Sequence, residues 1–224
     1  MKIEQILEGK PFMTEFGIVG YSSVVLISEG KKKILYDYGL RGCALQLMEG
    51  LRKVGVSAEE ITDVVISHMH FDHVGNLPLF ENAEIHMSET EWRTIFEHPD
   101  QWHCIQTREY IKQRGHLHFV KEGDLLSESV QVIELPGHTY GLIGLKCGDT
   151  FLCSDAIKNR YEMWEEMELM SVDPNLSKKT IERIKSEACF VYTGHDTILD
   201  LANQINGEEI HFNIRYANGT ILSV

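Results

Sequence analysis

Four side chains that can bind a metal ion lie within six consecutive residues of this chain. The short apolar run Val64–Ile66 precedes them, and Gly75 and Asn76 give a turn signal after them. A loop beyond a strand is free of helical or strand periodicity, so its backbone can direct several side chains to one point. The sequence therefore predicts a short strand that is followed by a ligand-bearing loop. The four residues are His68, His70, Asp72 and His73.

Three further candidate ligands, His138, Asp155 and His195, each follow an apolar run that is predicted as a strand. Each one alone could be a polar residue at a solvated turn, but the set of seven favours metal binding. Imidazole and carboxylate are the donors that zinc uses where a coordination position stays open for chemistry. One ion needs only three protein ligands and a water, so seven candidates predict a pair of ions. The remaining histidines have no ligand-like spacing and are predicted to be surface or structural residues: His86, His98, His103, His116, His118 and His211.

Composition and charge exclude several classes of partner. The chain has 21 Lys and Arg against 34 Asp and Glu, a net charge of -13, which disfavours binding to nucleic acid. Its apolar runs are far shorter than the roughly 18 residues of a membrane-spanning helix, so no membrane contact is expected. The first residues lack the pattern of a signal or transit peptide, and the five cysteines form no CxxC pair. We therefore expect a cytoplasmic protein.

The order of predicted elements indicates an α/β fold. Strands fill the first third of the chain, helices and strands then alternate, and Asn218-Gly219 predicts a closing hairpin between 210–216 and 220–223. Ser88 and Glu91 form a capping-box signature ahead of a helix, and further helices are expected over 100–114, 156–169 and 178–187. No linker or repeat divides the chain, so residues 1–224 are predicted to be one domain.

The segments HMHFDH, PGHT, SDA and TGHD, in that order, resemble the motifs of the metallo-β-lactamase-fold hydrolases. The resemblance covers essentially the whole chain and implies a four-layer αββα sandwich. It also implies that Asp155 bridges two divalent ions, and that Asp37 accepts a hydrogen bond from a ligand imidazole. One ion would lie on His68, His70 and His138, and the other on Asp72, His73 and His195.

The resemblance further implies a hydrolase in which the ions activate a water and Asp72 acts as the catalytic carboxylate that holds or accepts its proton. Two zinc ions are expected, with iron or manganese as alternatives. The runs HMHFDHVGN and SVDPNLSKKTIERIKSEACFVYTGHD are similar to the N-acyl homoserine lactonase-like branch, which implies a small ester or lactone substrate. The alternatives are a glyoxalase II-like thioesterase and a non-catalytic metal-binding regulatory protein.

Two residues near Asp155 are candidates for substrate binding. The lactonase-like branch places a tyrosine three residues after the bridging aspartate, where this chain has Lys158. Tyr161 lies three residues further on, so on a helix over 156–169 both side chains would share one face. Met163, Trp164, Met167 and Met170 recur at helical spacing and are interpreted first as a core face, with an apolar wall for an acyl chain as the alternative.

Overall fold

A computed structural model describes residues 1–15, 17–165, 170–203, 213–215 and 221–223 of the chain. Its two large sheets face each other, and helices cover both outer faces. The first half of the chain contains β1 (Lys2–Leu7), β2 (Met13–Thr14), β3 (Gly17–Ile18), β4 (Val24–Glu29), β5 (Lys32–Tyr36), α1 (Ala44–Lys53), β6 (Asp63–Val65), β7 (Glu84–Met87), α2 (Glu89–Glu97), α3 (Ile105–Arg114) and β8 (Leu117–Phe119). The second half contains β9 (Gln131–Glu134), β10 (Ile143–Cys147), β11 (Thr150–Ser154), α4 (Arg160–Glu165), α5 (Pro174–Glu187), β12 (Phe190–Thr193), β13 (Leu199–Asp200), β14 (Asn213–Arg215) and β15 (Ile221–Ser223).

Strand direction brings several strand ends to one edge of the molecule. The first sheet has the order β1-β4-β5-β6-β7-β8, in which the pairs from β5 to β8 are parallel. The second sheet has the order β13-β12-β11-β10-β9, and its β11 and β12 are parallel. Because carboxyl ends of parallel strands meet at one edge, the loops after β5 and β6 are neighbours, and so are the loops after β11 and β12.

The alternation of side chains along each strand produces the four layers. Val24 and Leu26 of β4 pack in a cluster with Leu47 and Leu51 of α1, whereas Val25 of the same strand points into the cluster between the sheets. In the second sheet the strands contact α5 on one side and the central cluster on the other. Both faces of each sheet are therefore apolar, and the predicted αββα sandwich is confirmed.

Two helices begin later than the sequence predicts. The helix expected over 100–114 begins only at Ile105, and the helix expected from residue 156 begins at Arg160. The latter is described as far as Glu165, so Met167 and the predicted end at residue 169 lie outside the described residues. The strands β14 and β15 pair antiparallel, as expected for the predicted hairpin, and the other residues of 210–216 and 220–223 lie outside the described residues. Within the described ranges, no helix combines the length and the apolar character that crossing a membrane requires.

Candidate metal centre

The seven predicted ligands converge at the edge where the two sheets present their strand ends. The loop after β6 carries four of them, and the loops after β9, β11 and β12 each carry one. All seven residues are buried. The structure thus brings together residues that are up to 127 positions apart in the sequence.

Three imidazoles form the first group of ligand atoms. The Nδ1 atom of His70 lies 3.0 Å from Nε2 of His138, and the ring centroid of His68 lies 4.5 Å from that of His70. Burial and the neighbouring imidazoles lower the pKa of His68 well below its usual value, and burial and Lys158 do the same to the pKa of His138. Both rings are therefore neutral, which is the form that binds a metal ion.

Asp72, His73 and His195 form the second group. Asp72 Oδ2 lies 3.5 Å from His195 Nε2 and 3.8 Å from His73 Nε2. These atoms are close enough to share one ion with small adjustments of the side chains.

Asp155 lies between the two groups. Its Oδ2 atom is 3.4 Å from His138 Nε2, and its Oδ1 atom is 3.3 Å from the Nε2 atoms of both His73 and His195. Burial raises the pKa of Asp155, but His195 and His73 outweigh burial and hold it well below the usual range. Burial lowers the pKa values of His73 and His195, but the carboxylates, Asp155 first, outweigh burial and raise them. A Cβ atom on Gly194 would lie 2.0 Å from Asp155 Oδ1, so the close approach of this loop requires glycine.

An oxygen atom holds the outward nitrogen of each imidazole. The predicted contact of Asp37 is present, because its Oδ2 atom accepts from His73 Nδ1 at 2.8 Å. The Nδ1 atoms of His138 and His195 donate to the carbonyl oxygens of Met170 and Tyr21 at 2.8 and 3.0 Å. These bonds fix the tautomers so that the lone pair of the other nitrogen faces the centre of the cluster.

The inward-facing atoms fit a divalent metal ion rather than a network of protein hydrogen bonds. His68 Nε2, His73 Nε2 and Asp155 Oδ1 are buried and have no well-aligned hydrogen-bond partner in the described part of the chain. Buried polar atoms without partners are costly, and metal coordination would satisfy all three. The donor set of imidazoles and carboxylates is that of a catalytic zinc site rather than a closed structural one.

A cavity of about 190 Å³ opens above these ligands. His70, Asp72, His138, Asp155 and His195 contribute to its floor. Lys158 and Asn159 add polar groups at one side. The remaining wall is mostly apolar, and it is formed by Pro11, Phe12, Gly20, Phe71, Trp102 and Met170.

The two predicted substrate-binding residues lie in different surroundings. Lys158 lines the cavity, and its Nζ donates to Glu162 Oε1 at 3.1 Å. Tyr161 is 45% exposed and is not among the residues that line the cavity. The expectation of one shared helical face is wrong, because Lys158 precedes the first residue of α4. Of the methionine-rich stripe, Met163 is buried in the core and Met170 lines the cavity, while Met167 is not described.

Three further residues contact the site and were missed by the sequence analysis. Asp100 Oδ2 accepts from His70 Nε2 at 3.1 Å, and the ring centroid of His103 lies 5.3 Å from that of His70. Glu91 is fully buried and accepts hydrogen bonds from the backbone N–H of Met69 and the hydroxyl of Thr139, which are sequence neighbours of three candidate ligands. Asp100 belongs to no ligand motif, and the sequence signal at Glu91 is only that of a helix cap.

Comparison with known protein families identifies the superfamily to which this chain belongs. The model of the metallo-beta-lactamase superfamily matches residues 17–185. The chain belongs to this superfamily. Hydrolase homologues in this superfamily support an enzyme, and the donor set described above is where divalent metal ions would bind.

The individual relatives share about a quarter of their residues with this chain, 28% in the two described next. The chain is 28% identical to an N-acyl homoserine lactonase of Bacillus thuringiensis over 159 residues, 65% of this chain and 60% of the lactonase. It is 28% identical over 168 residues to a protein of Methanocaldococcus jannaschii named "Probable metallo-hydrolase", with 74% and 72% of the two chains covered. This chain therefore spans less than two thirds of the lactonases that it matches.

Solved structures show the same fold at low identity. A crystal structure of a Thermotoga maritima protein assigned to the metallo-beta-lactamases superposes with a TM-score of 0.71 at 20% identity, and the match covers 89% of this chain and 98% of that one. AidC, a dizinc quorum-quenching lactonase crystallised with a homoserine product, superposes with a TM-score of 0.66 at 20% identity, with 91% and 78% covered. Both similarities concern the fold.

Proposed function

We propose that the chain is a dinuclear metallo-hydrolase that cleaves small carbonyl esters, with lactones as the preferred class. One observation carries the proposal. Seven candidate ligand side chains converge beneath a largely apolar cavity, and five of them line it. Three of their buried atoms have no well-aligned hydrogen-bond partner in the described part of the chain. The lactonase relatives support the choice of lactones among the esters.

The ligands divide between two ions. His68, His70 and His138 would hold one ion, and Asp72, His73 and His195 would hold the other, with Asp155 between them. Zinc suits this set of nitrogen and oxygen donors best, with iron or manganese as alternatives. When bound, such a pair of divalent ions supplies a nucleophilic water at neutral pH and polarises a carbonyl oxygen.

The residues around the ions position the substrate and move protons. Asp72 lies at the cavity floor, so a carboxylate oxygen that is not bound to metal can hold or accept the proton of the attacking water. Lys158 extends its ammonium group beside the cavity, where it can donate a hydrogen bond to a carbonyl oxygen or a departing alkoxide.

The apolar wall selects the rest of the substrate. Phe12, Phe71, Trp102 and Met170 can bury an acyl chain or a ring, and the cavity of about 190 Å³ suits a small molecule. The net charge of -13 disfavours polyanionic substrates such as phosphodiesters. Neutral lactones and esters match both properties.

The test uses metal-free protein reconstituted separately with zinc, iron and manganese. Elemental analysis should give close to two ions per chain, and a panel of lactones, aryl esters, acyl thioesters and phosphodiesters should give the highest kcat/KM for a lactone. His138→Ala should lose activity and metal, while the matched variant His118→Ala, on an exposed histidine, should keep both. A higher kcat/KM for thioesters or phosphodiesters would contradict the lactone assignment. A wild-type protein that binds none of the metals would contradict the metal centre itself.

A further inference from the structure

Asp100 connects a candidate metal ligand to the wall of the cavity. It lies in the segment between α2 and α3, 30 positions after His70. Its Oδ2 atom accepts from His70 Nε2 at 3.1 Å, and its Oδ1 atom accepts from the backbone N–H groups of Trp102 and His103 at 2.7 and 3.0 Å. One carboxylate therefore makes three hydrogen bonds, to a ligand and to its own turn.

The contact with Asp100 determines which nitrogen of His70 is available to a metal. A carboxylate only accepts hydrogen bonds, so the Nε2 atom of His70 carries the proton. The Nδ1 atom then has a free lone pair, and it is the atom that lies 3.0 Å from His138 Nε2 at the centre of the first ligand group. The other tautomer would place a proton where the ion must bind.

The same turn positions the cavity wall. The backbone N–H of Phe71 donates to the carbonyl oxygen of Trp102 at 2.9 Å, and the two aromatic rings lie 6.2 Å apart between centroids. Both side chains line the cavity. Because Asp100 accepts a hydrogen bond from the backbone N–H of Trp102, a substitution at Asp100 would affect both the candidate ligand His70 and the cavity wall at Trp102.

We propose that Asp100 is a positioning residue that sets the tautomer of His70 for metal binding and holds Trp102 at the cavity wall. The inference rests on the proposed metal centre and adds to it a residue outside the ligand motifs. It requires no contact between Asp100 and the ion or the substrate.

Asp100→Asn separates the two roles of the carboxylate. The amide oxygen can keep the two bonds from Trp102 and His103, but the amide nitrogen is a donor and would then face the N–H of His70. Either that bond is lost or the proton of His70 moves to Nδ1. The matched control is Asp200→Asn. Asp200 makes the same turn, with Oδ1 accepting from the backbone N–H groups two and three positions on at 3.0 and 3.1 Å, but its other oxygen contacts Asn203.

The effect of Asp100→Asn on metal binding can be measured without any substrate. The assay is the zinc affinity of the apoproteins, determined by competition with a chromophoric chelator. Asp100→Asn should lose about 10- to 100-fold in affinity for one of the two zinc equivalents. Asp200→Asn should stay within about twofold of wild type, and the melting curves of the apoproteins should overlap. Wild-type affinity for both equivalents in Asp100→Asn would overturn the inference and leave the metal centre intact. Failure of the wild type to bind zinc would instead refute the metal centre.

A second measurement does not depend on the folding of a variant. Nitrogen-15 NMR of histidine side chains in the wild-type apoprotein reports which ring nitrogen of His70 carries the proton. The inference predicts protonation at Nε2. Protonation at Nδ1 alone would overturn it, whatever the variants show.

Discussion

Glu91 of α2 holds two ligand-bearing loops together, and its removal gives a large predicted effect. Its side chain is fully buried. Oε1 accepts from the backbone N–H of Met69 at 2.9 Å, between His68 and His70, and Oε2 accepts from the Thr139 hydroxyl at 2.7 Å, next to His138. One side chain thus joins the three residues of the first ligand group through their neighbours. Burial raises the pKa of Glu91, and the hydrogen bonds from Met69 and Thr139 oppose that shift.

The magnitude follows from the two donors that lose their acceptor. In Glu91→Ala the N–H of Met69 and the hydroxyl of Thr139 stay buried without a partner, and each such group costs about 1–3 kcal/mol. We therefore expect the free energy of unfolding to fall by about 2–6 kcal/mol. Glu91→Gln keeps the volume and one acceptor, so about half of that loss is expected. Glu89→Ala, an exposed position in the first turn of the same helix, should change it by less than about 0.5 kcal/mol.

Urea denaturation of the metal-free proteins, followed by circular dichroism, measures these differences in the free energy of unfolding. The slope of that free energy against urea concentration should be the same in all variants. Zinc titration of the same samples should show weaker binding in the order wild type, Glu91→Gln, Glu91→Ala, because the two loops lose their common anchor. If Glu91→Ala were as stable as Glu89→Ala, or bound zinc as tightly as wild type, the proposed link between the loops would be refuted.

Four further substitutions test other parts of the structure. Asp155→Ala should reduce the metal content well below two per chain, because its two oxygens face both ligand groups; elemental analysis after dialysis measures this, and retention of both ions would contradict the bridge. Lys158→Met should lower kcat by on the order of a hundredfold at unchanged metal content, because Lys158 lines the cavity. Tyr161→Phe should leave kcat and KM unchanged, because Tyr161 is 45% exposed and does not line the cavity. A larger loss of kcat in Tyr161→Phe than in Lys158→Met would instead place Tyr161 in the site. Asp63 is buried, and although burial raises its pKa, hydrogen bonds from imidazole, ammonium and hydroxyl groups lower it from 3.8 to about 2. Its stabilisation is therefore present above about pH 4 and is lost as the pH falls toward 2, so acid titration of unfolding should show a smaller loss over that range in Asp63→Asn than in wild type.

The convergence of the seven candidate ligands could be predicted because their signal is local. His68, His70, Asp72 and His73 fall in one short segment after an apolar strand, and His138, Asp155 and His195 each follow another strand. Strand ends that share an edge bring such residues together whatever the details of packing. The αββα layers were predicted from the resemblance. The side chains of β4 alternate between two buried clusters, one on each face of the sheet, and this gives the physical reason for the layers.

The residues that orient the ligands could not be predicted in the same way. Asp100 contacts His70 only because the segment after α2 folds back on the ligand loop, and no spacing in the sequence reports that contact. At Glu91, one of the two hydrogen bonds predicted by the capping-box signature is present and the other is not. The Ser88 hydroxyl accepts from the backbone N–H of Glu91, as the capping signature predicts, but the Glu91 side chain bonds to Met69 and Thr139 instead of completing the box.

The position of Lys158 depends on where α4 begins, and a helix cap decides that point. The Asn159 side-chain oxygen accepts from the backbone N–H groups of Tyr161 and Glu162 at 3.0 and 3.2 Å, which makes Asn159 the N-cap and Arg160 the first helical residue. Lys158 then precedes the cap, on the loop that leaves Asp155, and its ammonium group stays beside the cavity through its bond to Glu162. Tyr161 falls in the first turn and is 45% exposed. An asparagine with a glutamate three positions later is the sequence signal of this cap, and it favours Lys158 over Tyr161 as the residue that reaches the substrate.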